Sequence, residues 1–302
     1  MFHKKVEIKG HSAAIYGVDG NADFAYTASG DGFVARWDLV LGTQDAFAVK
    51  ADKSMYCLKL VNAQTQLVFG LTDGAIHVVD IAKKQEVKHI IQHSSALFSI
   101  VENSFKKHIY TTDADGNLAV WNAETWNLLL FLPLQVGKIR EILVGIDGKL
   151  IFLACQDGTI RIFETTNYNE IQSFHAHNGG TTSLCLHSMK THLLISGGKD
   201  GHLRVWNWKS EKCHLEIPAH NYGIYRIITL DRGNLLATCS RDHSIKIWDA
   251  FQFKVLQKIE RKHGGHSHAV NDLWKKSETE FVSVGDDKRI IQWSMSTPVN
   301  AD

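Results

Sequence analysis

Proline is scarce, with three in 302 residues, and no stretch reads as a Pro-rich linker. An excess of one charge is absent too: 33 Lys and Arg stand against 32 Asp and Glu. That balance speaks against a polybasic nucleic-acid arm, an acidic tail or a charged membrane-docking face. The five cysteines, Cys57, Cys155, Cys185, Cys213 and Cys239, are odd in number, scattered, and form no C-x-x-C. They fit reduced thiols in a cytosolic setting better than a disulfide framework or a cysteine zinc site. The longest apolar stretch, Leu128 to Leu134, is too short to span a bilayer. Met1-Phe2-His3-Lys4-Lys5 lacks the apolar run of a secretory signal, and there is no N-x-S/T acceptor. The expectation is a cytoplasmic protein, intracellular in any case with the nucleus left open, that has no membrane partner.

What is present is a repeat. Apolar residues make up 44% and charged residues 22%, an ordinary globular balance. Turn aspartates recur at Asp31, Asp73, Asp115, Asp157, Asp200, Asp242 and Asp287, with spacings of 42, 42, 42, 43, 42 and 45. Six residues after each comes one slot, filled by Trp37, Val79, Trp121, Phe163, Trp206, Trp248 and Trp293. Seven such units account for nearly the whole chain, so residues 1–302 are read as a single domain.

Inside each unit the period is two, which is the period of a strand. In the sixth unit a first strand begins at Gly223 to Ile227, and Leu235 to Ser240 forms a second. Arg241-Asp242-His243 turns, Ile245 to Trp248 is the third, and Lys254 to Ile259 the fourth. Five of the seven turns read Asp-Gly, which suits a two-residue hairpin at positive φ. Four short strands cannot bury their apolar faces alone; packed radially, each sheet covers its neighbours. The predicted fold is all-β, a seven-bladed β-propeller of four-stranded antiparallel blades. The last unit stops after its third strand, Ile290 to Trp293, while Lys4 to Lys9 precede Gly10-His11 as fourth strands precede the later histidines. The N-terminal strand is therefore expected to complete blade seven and close the ring.

The pattern resembles the WD40-repeat family across the whole chain. It is carried by Gly10-His11, Ser29 to Gly32 and Trp37-Asp38, then by Ala219-His220, Thr238 to Asp242 and Trp248-Asp249. The resemblance implies a buried hydrogen-bonded tetrad of His, Ser/Thr, Asp and Trp in a blade. The matching sets are His11/Thr27/Asp31/Trp37, His93/Thr111/Asp115/Trp121, His177/Ser196/Asp200/Trp206, His220/Thr238/Asp242/Trp248 and His266/Ser283/Asp287/Trp293. Units two and four lose every polar member but the aspartate: Phe69 and Leu153 replace the hydroxyl, Val79 and Phe163 the Trp, and no His leads the strand. A half-made buried network would strand donors or acceptors at about 1–3 kcal/mol each, so joint loss argues that the sets are scaffold. A hydrolase triad would occur once, beside a pocket with oxyanion donors.

No cofactor, metal or enzymatic activity is expected. His263-Gly264-Gly265-His266-Ser267-His268 has metal-binding residue types, but the register assigns His266 to the seventh tetrad. Ser196-Gly197-Gly198-Lys199 lacks the spacing of a phosphate loop. The Trp-Asp-x-Arg of cullin-ligase adaptors and the long N-terminal helix of G-protein β subunits have no counterpart.

By the same resemblance, partners dock on the face around the channel entrance. One set of positions there starts each innermost strand: Tyr16, Tyr56, Phe98, Arg140, Thr182, Tyr225 and Asn271. Another precedes each turn aspartate and includes Lys199 and Arg241. Tyr16, Tyr56 and Phe98 make an aromatic arc; Lys138, Arg140, Lys199, Tyr225 and Arg241 make a basic one. Aromatics and Arg anchor interfaces. The expected function is a non-catalytic protein- or peptide-binding scaffold. Its partner would carry an apolar anchor and an acidic flank or terminal carboxylate, because the cations repel a methylated lysine. A structural subunit of a larger complex is the alternative, and a propeller-based enzyme a weaker one. Nucleic acid is not an expected partner. Arg36 and Gln292 interrupt the aliphatic position before the Trp slot, and both flank the presumed seam.

Overall fold

A computed structural model describes residues 1–296. They form seven four-stranded sheets, each antiparallel and each made of consecutive strands except the last. Blades one to six span 15–50, 55–91, 97–133, 139–175, 181–218 and 224–259. Blade seven joins Val270–Lys275, Glu280–Gly285 and Arg289–Met295 to the N-terminal strand Phe2–Lys9. That strand runs antiparallel to Arg289–Met295, from Phe2 opposite Met295 to Lys9 opposite Arg289. Phe2 is buried against Phe281, their ring centroids 5.2 Å apart, and its backbone exchanges two hydrogen bonds with Gln257 of blade six. The seam is thus fastened to both neighbours in the ring.

The second strand of each blade is buried along nearly its full length, because blades cover it on both faces. The outermost strands are mostly exposed, as Gln85–Ile91 shows. Each apolar cluster combines residues of adjacent blades; Tyr26, Val34 and Phe47 of the first pack on Leu58, Leu67 and Phe69 of the second. At roughly 1.5–3 kcal/mol per large apolar side chain, this radial packing is the main stabilisation of blades too small to stand alone.

The turns differ from the expected hairpin. The loop has three residues, such as Gly30 to Gly32, with the Gly32 N–H donating to the Ser29 carbonyl. Only the glycine, at φ +81°, is left-handed; Asp31 is not. The aspartate is favoured for another reason: its carboxylate accepts the N–H two residues on, as Asp31 does from Phe33 and Asp157 from Thr159. His243 and Lys288 hold the left-handed position in blades six and seven, at φ 69° and 65°.

Every innermost strand has a register shift after its first residue. The residues at the seven bulges are Tyr16, Tyr56, Phe98, Arg140, Thr182, Tyr225 and Asn271. A bulge re-aims the side chain it carries. Here it does so at the seven positions that begin the channel wall.

Candidate functional site: the mouth of the central channel

Five buried relays lie between the strands. In blade one His11 Nδ1 is 2.9 Å from Asp31 and Nε2 is 2.7 Å from the Thr27 hydroxyl, to which Trp37 Nε1 donates at 2.7 Å. The sets led by His177 and His220 repeat this geometry within 2.7–3.0 Å through Ser196 and Thr238. In blade seven the Ser283 hydroxyl stands 2.8 Å from both His266 Nε2 and Trp293 Nε1, and His266 Nδ1 is 2.8 Å from Asp287. Indole N–H is donor only, so the hydroxyl accepts from Trp, gives its one proton to His Nε2, and leaves Nδ1–H to donate to the carboxylate. That order needs a neutral imidazole. Desolvation holds His11, His177 and His220 below the usual histidine range, while the imidazole contact lowers the partner aspartates despite their burial.

The five relay hydroxyls, Thr27, Thr111, Ser196, Thr238 and Ser283, have no exposed surface. None is therefore a site residue in the sense of one that a ligand can touch. Thr111 and Ser283, singled out in the sequence with the rest, are enclosed within their own blades because the second strand is covered on both faces. A substrate carbonyl has no access to either.

Blade three corrects one assignment. Thr111 does take its place in the relay, 2.8 Å from His93 Nε2 and 2.9 Å from Trp121 Nε1. The aspartate is a different one: His93 Nδ1 meets Asp113 at 2.7 Å, and Asp115 stands exposed in the turn. Asp113 occupies the place of Ser29 and Ser240, whose hydroxyls accept the turn N–H in blades one and six. Its carboxylate takes over that bond from the Asp115 N–H and also accepts from Asn117 and His93. In blades two and four Phe69, Val79, Leu153 and Phe163 fill the space with apolar groups, and Asp73 and Asp157 are exposed.

At the channel mouth six of the eight predicted contact residues come together around a cavity of about 720 Å³: Tyr16, Tyr56, Phe98, Lys138, Arg140 and Tyr225. Tyr16 meets Tyr56 edge-on at 4.8 Å, and Tyr56 stacks on Phe98 at 5.3 Å. Lys138 Nζ lies 4.3 Å over Phe98; the Arg140 guanidinium is 5.4 Å from both Phe98 and Tyr225. The two arcs are therefore one continuous rim joined by cation–π contacts. Burial, then mutual repulsion, pushes the Lys138 pKa down. Lys199 and Arg241 are exposed and do not line the cavity; Arg241 lies near Tyr222, 5.9 Å from its ring. Thr182 and Asn271 are turned into the wall, bonding Ile224 and Ile15 carbonyls of the next blade.

A family model described as "WD domain, G-beta repeat" matches residues 168–207 and 211–249, two successive repeats. Two successive units of this seven-bladed propeller thus match the WD40 repeat. It is 22% identical to WD repeat-containing protein 55 of Bos taurus, an alignment covering 94% of this chain and 76% of that protein. It is 27% identical to human pre-mRNA-processing factor 17 over 80% of this chain and 43% of that protein. The U5 small nuclear ribonucleoprotein 40 kDa protein of Dictyostelium discoideum is 25% identical over 54% of this chain and 46% of its own length. This chain therefore spans under half of the last two.

Below the mouth the channel wall carries charged residues outside both expected arcs. Asp272 accepts the Val18 N–H at 3.0 Å, Asp19 the Leu60 N–H at 2.9 Å, and Glu141 the Leu184 N–H at 2.7 Å. Each bond ties one blade to the next and fills an innermost-strand donor that would otherwise stay unpaired. Arg226 of blade six bonds Glu141 of blade four at 2.8 Å and lies 3.3 Å from Asp272 of blade seven. A signal existed: Glu141, Arg226 and Asp272 each follow a mouth position directly, as Ser99 does, inside otherwise apolar strands. Arg36 is explained locally, lying over Phe24 at 4.5 Å and pairing with Asp45 at 2.6 Å. Among the described residues, no group of three His, Cys, Asp or Glu is placed to hold a metal, and no helix is long and apolar enough to cross a membrane. Cys57, Cys155 and Cys185 are buried free thiols pushed up to about 12 by desolvation.

Proposed function

We propose that this WD40 propeller is a non-catalytic scaffold, one domain whose protein or peptide partner docks at the channel mouth. The observation that carries the reading is the unbroken rim from Tyr16 through Tyr56 and Phe98 to Lys138, Arg140 and Tyr225. Aromatics beside cations suit a segment with an apolar anchor and an acidic flank. Lys199 and Arg241 stand outside this rim and extend the positive field toward that flank. Buried reduced thiols support an intracellular site of action. The cytoplasm is our first assignment; relatives named for pre-mRNA processing and a small nuclear ribonucleoprotein support the nucleus as well. Neither a membrane nor a nucleic acid belongs to the reading. Those names also support the second reading, a subunit of a larger assembly.

Affinity capture from native lysate tests the reading. The Tyr56→Ala/Phe98→Ala double variant is expected to lose partners that the wild-type protein enriches, at an unchanged melting temperature. Unchanged recovery of the same partners defeats it.

A further inference from the structure

The following rests on the docking reading and gives it a chemistry. Among the described residues Arg140 and Lys138 have no carboxylate within 4.0 Å, whereas Arg226 just below is paired with Glu141 and Asp272. Among the described residues no acceptor takes an N–H of the Arg140 guanidinium, which lies between the rings of Phe98 and Tyr225. Aromatic faces attract the charge but leave the planar fork of donors free. Among the described residues the channel lining carries five cations, Lys59, Lys138, Arg140, Arg226 and Lys275, against the four carboxylates of Asp19, Glu141, Asp272 and Asp286. One positive charge is in excess, and it lies at the mouth.

We propose that Arg140, assisted by Lys138, receives a single carboxylate of a bound peptide, whose adjacent apolar side chain lies on the Tyr16–Tyr56–Phe98 arc. A guanidinium fork matches a carboxylate in two parallel hydrogen bonds. A phosphate dianion fits less well, because Glu141 follows Arg140 directly and Asp286 sits on the same lining. The carboxylate comes from a chain terminus or from an Asp or Glu side chain.

The test uses acetylated hexapeptide libraries, random at the last four positions, on the immobilised full chain. Four sets are compared: free acids without Asp or Glu, amides containing Asp or Glu, amides containing phosphoserine in place of Asp or Glu, and neutral amides without any of these. Retention of either carboxylate set at least tenfold over the neutral amides is expected, and which one is retained identifies the source. Arg140→Met is expected to abolish that preference and Lys138→Met to weaken it. Arg140→Met breaks no native ion pair, so it is expected to melt no lower than wild type; should it fail to fold, Lys138→Met and Arg140→Lys carry the test. Equal retention of neutral amides overturns the proposal, as does a preference that survives Arg140→Met, or stronger retention of phosphoserine peptides. Retention of no set also overturns it, while the lysate capture with Tyr56→Ala/Phe98→Ala still decides the docking reading separately.

Discussion

His93 bonds Asp113 at 2.7 Å, two residues short of the aspartate that the repeat marks. Asp113 has no exposed surface and its carboxylate also accepts from Asp115 and Asn117. Asp113→Ala is therefore expected to cost about 3 kcal/mol, since it strands a buried imidazole and turn donors together. Asp115→Ala is expected to stay within about 0.5 kcal/mol, as exposed positions do. Urea denaturation of both variants checks the pair; a larger loss at Asp115 would reverse the assignment.

Acid should unfold the propeller in two stages. His11, His177 and His220 are depressed by burial, so the unfolded chain binds protons first as pH falls below about 6.5, and stability declines from there. Asp31, Asp113, Asp200, Asp242 and Asp287 are also lowered. Their contribution is complete above the unfolded carboxylate value of about 4 and is lost as pH falls further. Glu141 and Asp272 are raised by burial and act oppositely, but the three depressed histidines outnumber them at mildly acid pH and the five lowered aspartates do so below about 4. Melting curves from pH 8 to pH 3 should fall monotonically below about 6.5; a maximum near pH 5 would contradict this balance.

Gln292 is 1% exposed, and among the described residues neither its Oε1 nor its Nε2 finds a partner. The equivalent residues in blades two to six are Val78, Val120, Ile162, Val205 and Ile247, all buried aliphatics. Gln292→Met keeps the volume and removes the orphaned amide. It should raise stability by about 1–2 kcal/mol, read as a higher urea midpoint with an unchanged slope.

Deleting residues 1–9 removes the fourth strand of blade seven, exposes Phe281 and breaks the bonds to Gln257. A melting temperature lower by about 10 °C or more is expected, corresponding to several kcal/mol in a chain of this size. Melting at the full-length temperature would show that the seam contributes nothing.

Blade number, strand period and ring closure were all legible along the chain. They rest on local features: alternation of apolar residues, a turn aspartate that binds its own backbone, and a repeat that returns each role every 42 residues or so. The rest was settled between residues far apart in sequence. Asp113 captured His93 because two carboxylates lay within reach and the buried one also satisfied turn donors. Arg226 joined Glu141 across 85 positions, and Arg140 came to lie between Phe98 and Tyr225 without an anion of its own. Periodicity states which face a side chain takes. Which charge it meets there depends on how seven sheets converge on one axis, and that convergence is a property of the packed ring.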